Sequence, residues 1–124
     1  MTQANNQCQK VNNKKIGDHY ENIACQFLIN QGLILIEQNS HYRIGEIDLI
    51  MQDKKCLVFI EVRYRKNANF GPAEMTVTPN KQSKIKQAAQ SWMLSKNLNI
   101  EATEFRFDVF AITGEKQQWI INAF

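Results

Sequence analysis

A chain of 124 residues, 44% hydrophobic and 22% charged, has the length of one globular domain. At that size about 70% of the extended surface can be buried, so folding needs no disulfide or metal staple. Five glycines and two prolines exclude a collagen-like or low-complexity chain, and no run approaches the roughly 18 uncharged apolar residues of a membrane span. The net charge of +3 is unevenly spread: residues 1–62 (6 basic, 7 acidic) sum to −1, residues 63–96 (7 basic, Glu74 the only acid) to +6, and residues 97–124 (2 basic, 4 acidic) to −2. So basic a middle third is either the footprint of a polyanion partner or a solvated lysine-rich helix face.

Residues 1–13 are polar, Asn/Gln-rich and then basic, with no apolar stretch of the secretory kind. They read as a frayed arm ahead of a domain over residues 14–124, and the protein reads as cytoplasmic. Lys14 to Gln31 predicts an amphipathic helix: Ile16, Tyr20, Ile23, Ala24, Phe27 and Leu28 recur at helical spacing, and Gly32 ends it. Leu33 to Asn39 is a first strand, followed by a polar connection over Ser40–Gly45. Glu46 to Gln52 and Cys56 to Arg65 are two strands that pair as a hairpin around Asp53–Lys55. Lys66 to Val77, with Asn67, Asn69, Gly71 and Pro72, is a loop. Thr78 caps a helix whose first residue is Pro79 and which runs to about Ser95, with Ile85, Ala88, Ala89, Trp92 and Met93 as its apolar stripe. Glu104 to Thr113 alternates Phe105, Phe107, Val109 and Ala111 with Arg106, Asp108, Phe110 and Ile112. Trp119 to Phe124 closes the chain as a strand. The order αβββαββ predicts an α/β domain with one mixed sheet between helices.

Cys8, Cys25 and Cys56 are odd in number and widely spaced, and His19 and His41 form no paired motif. They predict neither a zinc site nor a triad, and Cys25 and Cys56 read as core residues. Most aromatics fall on regular periods and read as core; Tyr64 and Phe70 are the exceptions, since they flank the basic loop.

The carboxylates carry more information. Period 2 puts Glu46, Asp48 and Ile50 on one face of their strand and Ile47, Leu49 and Met51 on the other. In the next strand Leu57, Phe59, Glu61 and Arg63 share a face. Glu61 is therefore an acid within the apolar run LVFIEV, where a charge is costly unless paired or metal-bound. The hairpin brings Asp48 and Glu61 onto neighbouring strands, as oxygen ligands suited to Mg²⁺ or Mn²⁺ or as partners in a salt bridge to Arg63. Lys81 extends the stripe of the second helix and faces the sheet; Lys84 flanks it. Glu21 borders the stripe of the first helix, looking into a site or out to water.

GEIDLI, LVFIEVRYR, TPNKQSKIKQAAQSW, FRFDVFAI and the closing WIINAF resemble the YraN family of bacterial proteins, over nearly the whole chain from Gly17 to Phe124. That family is identified as a member of the PD-(D/E)xK superfamily, with the restriction-endonuclease-like fold, and is similar to archaeal Holliday-junction resolvases. The resemblance implies a metal-dependent nuclease acting on DNA, branched or structured forms included. It makes Asp48 the first metal-binding acid, Glu61 the second and Glu21 the helix-one glutamate beside the metal. Arg63 stands where lysine is usual; it can steady a transition state as a fixed cation but cannot be deprotonated. On this reading Arg63 and Lys81 face the scissile phosphate, while Arg65, Lys66 and Lys84 position the backbone. No small-molecule cofactor and no membrane partner are implied. Resolvase-like action on two strands would need a homodimer, for which the sequence shows no seam. A non-catalytic nucleic-acid-binding module of the same fold, and an interaction protein with salt-bridged acids, are the rival readings.

Overall fold

The computed structural model describes residues 16–124; the N-terminal arm predicted over residues 1–13 lies outside the described residues. Helix α1 spans Ile16–Asn30. Strands β1 (Ile34–Tyr42), β2 (Gly45–Asp53) and β3 (Cys56–Arg65) follow as an antiparallel meander. A 3₁₀ turn over Ala73–Thr76 leads into helix α2, Pro79–Ser95, which carries the chain to β4, Phe105–Thr113, parallel to β3. Strand β5, Lys116–Ile120, pairs antiparallel with β4. The sheet order is β1-β2-β3-β4-β5. This is the mixed α/β architecture that the chain order predicts.

Burial explains the layers. Ile85, Ala88, Ala89, Trp92 and Met93 of α2 cover one face of the sheet, against Leu57, Phe59, Phe107 and Val109. Ala24, Cys25 and Leu28 of α1 cover the other, against Leu49, Met51, Val58, Ile60, Phe110 and Ile112. Strands β3 and β4 lie between two helices and are apolar on both faces, as internal strands of a parallel pair must be. Cys56 is buried along with Cys25. Thr78 caps α2 as predicted, its Oγ1 accepting from the Lys81 N–H at 3.3 Å, with Pro79 at the first helical position.

Three expectations need correction. The segment Ser40–Gly45 is not all connection: β1 continues to Tyr42, and only Arg43 and Ile44 turn the chain. The last strand is earlier than Trp119–Phe124. After Ile120 the chain leaves the sheet, with Asn122 in the left-handed region (φ 55°) and its N–H captured by Asp108 at 2.9 Å. Ile47 does not share a face with Leu49 and Met51 but joins Ile50 on the α2 side.

This last difference shapes the sheet where the acids lie. Gln38 pairs with Leu49, on the α1 side, whereas Ser40 pairs with Ile47, on the α2 side. Both strands therefore reverse phase at Asn39 and Asp48, which lie opposite each other. Asn39 has φ 53°, a left-handed conformation that asparagine tolerates better than most residues. A bulge at Leu35/Glu37 separately turns Glu37 to the α2 side, where it accepts from the Trp92 indole N–H at 3.0 Å and from the Ser40 hydroxyl. Replacing Trp92 with Phe keeps a ring against Phe59 but loses that bond, part of the buried indole volume and the Lys96 contact. It should lower unfolding free energy by at least about 1.5–3 kcal/mol in urea titration, the value of a bond to a charged acceptor before the lost packing is added. An unchanged midpoint would show that water replaces the indole.

Candidate metal and nucleic-acid site

The site forms where β2 and β3 part. Their ladder runs from Asp53–Cys56 to Leu49–Ile60 and then stops. Beyond it the Asp48 Oδ2 accepts from the backbone N–H of Val62 at 2.9 Å, so a side chain occupies the place of the next ladder bond. The phase reversal turns Asp48 towards β3, and it stays only partly buried. Glu61, buried at 5% exposure, lies on the α2 face of β3, and Glu21 comes in from α1. The charge of Asp48 acts on both glutamates.

Three acids so close cannot all ionise freely. Burial first, and then Asp48, push Glu21 up to about 8, while the Asn39 side chain pulls it down. Burial and then Asp48 push Glu61 up to about 8 as well, against the pull of Arg63 and Lys81. Burial also raises Asp48, although the Val62 N–H favours its ionised form. Burial and the neighbouring Asp48 thus favour the protonated forms of both glutamates. Arg63 Nη2 lies 2.9 Å from Glu61 Oε2.

Two atoms at this cluster are buried without a hydrogen-bond partner among the described residues: Glu21 Oε1 and Arg63 Nε. Such atoms are rare, because an unmet polar group loses its hydration for nothing in return. One is an acceptor suited to a cation and the other a donor suited to an anionic oxygen. Among the described residues no group of three or more His, Cys, Asp or Glu side chains is placed to hold a metal ion as it stands. The donor chemistry nonetheless fits a hard divalent cation: all-oxygen ligands, from three elements, one of them unsatisfied.

The basic residues divide. Lys81 is half-buried on the first turn of α2, and its charge acts on Glu61. Lys81 and Lys84 line a groove of about 310 Å³ together with His41, Tyr42, Ile44 and Glu46 of the β1–β2 turn. Gly45 permits this approach, since a Cβ there would sit 3.4 Å from the Lys84 carbonyl oxygen. Lys66 is exposed. Arg65 is not free in the same way: its Nη1 donates to the carbonyls of Phe70 (2.5 Å) and Gly71 (2.9 Å) and so ties the loop that follows β3. Glu46 belongs to the rim, its carboxylate 2.9 Å from His41 Nδ1. Sequence reasoning missed Asn39, whose only signal is a polar residue beside the strand pattern.

Fold and cluster define a mixed α/β domain with a carboxylate group set where two strands separate, beside a basic helix start. The chain belongs to the uncharacterised protein family UPF0102, whose pattern matches residues 20–112; this bears out the resemblance to the YraN family. It is 48% identical over 115 residues to a UPF0102 protein of Vibrio cholerae serotype O1, covering 91% of this chain and 94% of that one. It is 49% identical over 111 residues to one from Klebsiella pneumoniae (90% and 87%), and 46% over 114 residues to one from Yersinia enterocolitica (92% and 97%). No helix among the described residues is long and apolar enough to cross a membrane.

Proposed function

We propose that this protein is a nuclease that hydrolyses DNA phosphodiesters with the help of Mg²⁺ or Mn²⁺. The observation that carries the reading is the pair of unmet buried atoms at one cluster, Glu21 Oε1 awaiting a cation and Arg63 Nε awaiting an anionic oxygen. A DNA phosphate bridged to a cation supplies both.

Glu21, Asp48 and Glu61 would hold the cation. When bound, it would lower the proton affinity of an attacking water and offset charge on the phosphate. The chain's own groups do the rest. Arg63 holds a non-bridging oxygen through Nε while Nη2 stays on Glu61. Lys81 approaches from α2, where the helix N-terminus also favours an anion. Water attacks phosphorus in line and gives up a proton to solvent as the new P–O bond forms; the opposite P–O bond breaks, and the leaving oxygen takes up a proton from solvent. Lys66 and Lys84 align the strand, and Arg65 contributes by shaping the loop.

Lys81 is the more important cation on this reading. Its ammonium is a compact point charge on a flexible stem, whereas Arg63 is committed to Glu61. In a Mn²⁺-supported cleavage assay on duplex, single-stranded and branched DNA, Asp48→Ala should lose about a hundredfold or more. Lys81→Ala should lose more than Arg63→Ala, and Arg63→Lys should keep or raise the rate. A dead Arg63→Ala beside a normal Lys81→Ala reverses the two roles. If the wild type and Arg63→Lys cleave nothing yet bind DNA, the protein is the non-catalytic binding module. The Arg63–Glu61 pair favours that second reading, because it already neutralises one of the acids.

A further inference from the structure

Phe70 is 90% exposed, the most exposed of the large apolar side chains described. Met75, 67% exposed, stands at its base: its sulfur lies 3.2 Å from where a Cβ on Gly71 would be. A flexible loop would fold such a ring back onto the surface, but this loop is held out. Arg65 donates to the carbonyls of Phe70 and Gly71. Asn67 Oδ1 accepts from the Asn69 N–H at 3.0 Å, and Gly71 N–H reaches the Ala68 carbonyl at 3.0 Å. Gly71 adopts φ 103°, open to glycine and strained for other residues. Both ends of the loop are tied to the start of the β4–β5 turn: Gly114 N–H donates to the Arg65 carbonyl at 2.8 Å, and Ala73 N–H to Thr113 Oγ1 at 3.0 Å.

The position also matters. The loop leaves β3 two residues after Arg63, at the end of the sheet that carries the acids. It opens the segment of +6 net charge, and Lys66 stands exposed beside it. An apolar ring on a loop braced by hydrogen bonds, beside an exposed lysine, matches a base stack bordered by phosphates. Apolar wedges on basic proteins enter base steps in this way, and the cost of unstacking is least where the stack is already broken.

We propose that Phe70 is a wedge that inserts at a discontinuity in the base stack of a nucleic acid and so selects gapped DNA over continuous duplex. The proposal rests on the DNA reading above and adds to it the substrate class. Charge complementarity chooses nucleic acid as the occupant over a second copy of this chain, whose own +6 segment would repel.

The test uses the full chain with two DNA probes of one sequence, a continuous duplex and a gapped duplex bearing 2-aminopurine at the gap edge. Wild-type protein should bind the gapped probe more tightly and brighten the 2-aminopurine as the base unstacks. Phe70→Ala should weaken gapped binding by roughly tenfold, the scale of one lost stacking contact, and abolish the brightening. Its affinity for continuous duplex and its salt slope should not change, since the phosphate contacts remain. Phe70→Trp should restore both signals. Equal gapped binding and brightening by wild type and Phe70→Ala would overturn the wedge while leaving the DNA reading intact. No binding to either probe by the wild type at low salt would overturn the DNA reading and the wedge with it. Loss of a dimer in Phe70→Ala by sedimentation, with DNA affinity unchanged, would assign the ring to self-association and also overturn the wedge.

Discussion

Asp108→Ala should cost about 3–5 kcal/mol of unfolding free energy, the scale of an uncompensated buried charge, and release the C-terminal segment. Asp108 is fully buried, in the middle of β4 on the α1 side. Its carboxylate accepts from Arg106 Nε at 3.0 Å and Nη2 at 3.1 Å, from Trp119 Nε1 at 3.0 Å and from the Asn122 N–H at 2.9 Å. One carboxylate thus serves a half-buried guanidinium, fastens β5 and turns the tail. The tail then returns to the opposite face, where Ala123 N–H donates to the Phe107 carbonyl and Phe124 stacks on Phe107 at 5.2 Å. Alanine leaves Arg106 with Asp53 alone, at 3.1 Å, and leaves the other donors unmet. Domains of this size are stable by about 5–15 kcal/mol, so the loss is a large share of the total. Asp53→Ala is the control: that carboxylate is more exposed, and its removal should cost about 1 kcal/mol or less. Urea titration measures both. A loss for Asp108→Ala no greater than for Asp53→Ala would show that the network relaxes around the gap.

Stability should fall as pH rises from about 4.5 to about 8 in the presence of a chelator. Glu21 and Glu61 are both raised to about 8 in the folded protein, from an ordinary 4.5. A raised carboxyl adds stability that is complete below its unfolded value and is lost as pH climbs through its folded one. Each proton that the folded state holds in excess contributes a slope of about 1.4 kcal/mol per pH unit, so a coupled cluster gives a fall of several kcal/mol across the window. Glu21→Gln removes one of the repelling acids. It should flatten the curve and raise the melting temperature at pH 8. Mn²⁺ should restore stability to the wild type on the alkaline side, because a cation displaces the protons, and should do so far less for Glu21→Gln. Calorimetry across pH, with chelator and with Mn²⁺, reads all four curves. A flat wild-type curve between pH 5 and 8 would mean that the acids are solvated and that no coupled cluster exists. Below pH 4.5 a different group takes over. Glu37 lies partly buried, which pushes it up, but bonds from Ser40 and Trp92 and the charge of Lys96 hold it below its ordinary value. Its contribution is lost as pH falls.

What the sequence determined by itself was local or periodic. Thr78 and Pro79 start α2 because a cap and a fixed φ act within one turn. Cys56 to Arg65 makes an internal strand because apolar residues fill both of its faces. Asp48 and Glu61 fall on neighbouring strands because a short turn joins a hairpin. Tertiary structure alone decided the rest. Asp48 turns towards β3 because β1 and β2 reverse phase together at Asn39, whose side chain acts on Glu21 of α1. Period 2 carries no sign of that reversal, so Ile47 was expected on the wrong face. In sequence Glu21 can face a site or water and Arg65 is expected to position a DNA backbone; packing of α1 buries Oε1 of the one, and the carbonyls of a loop engage the other. Asp108 looked like one polar position in an alternating strand, and became an anchor only when β5 and the tail brought their donors to it. A period reports which way a side chain leaves its own strand, whereas the groups it meets are supplied by distant parts of the chain and are set when the layers pack.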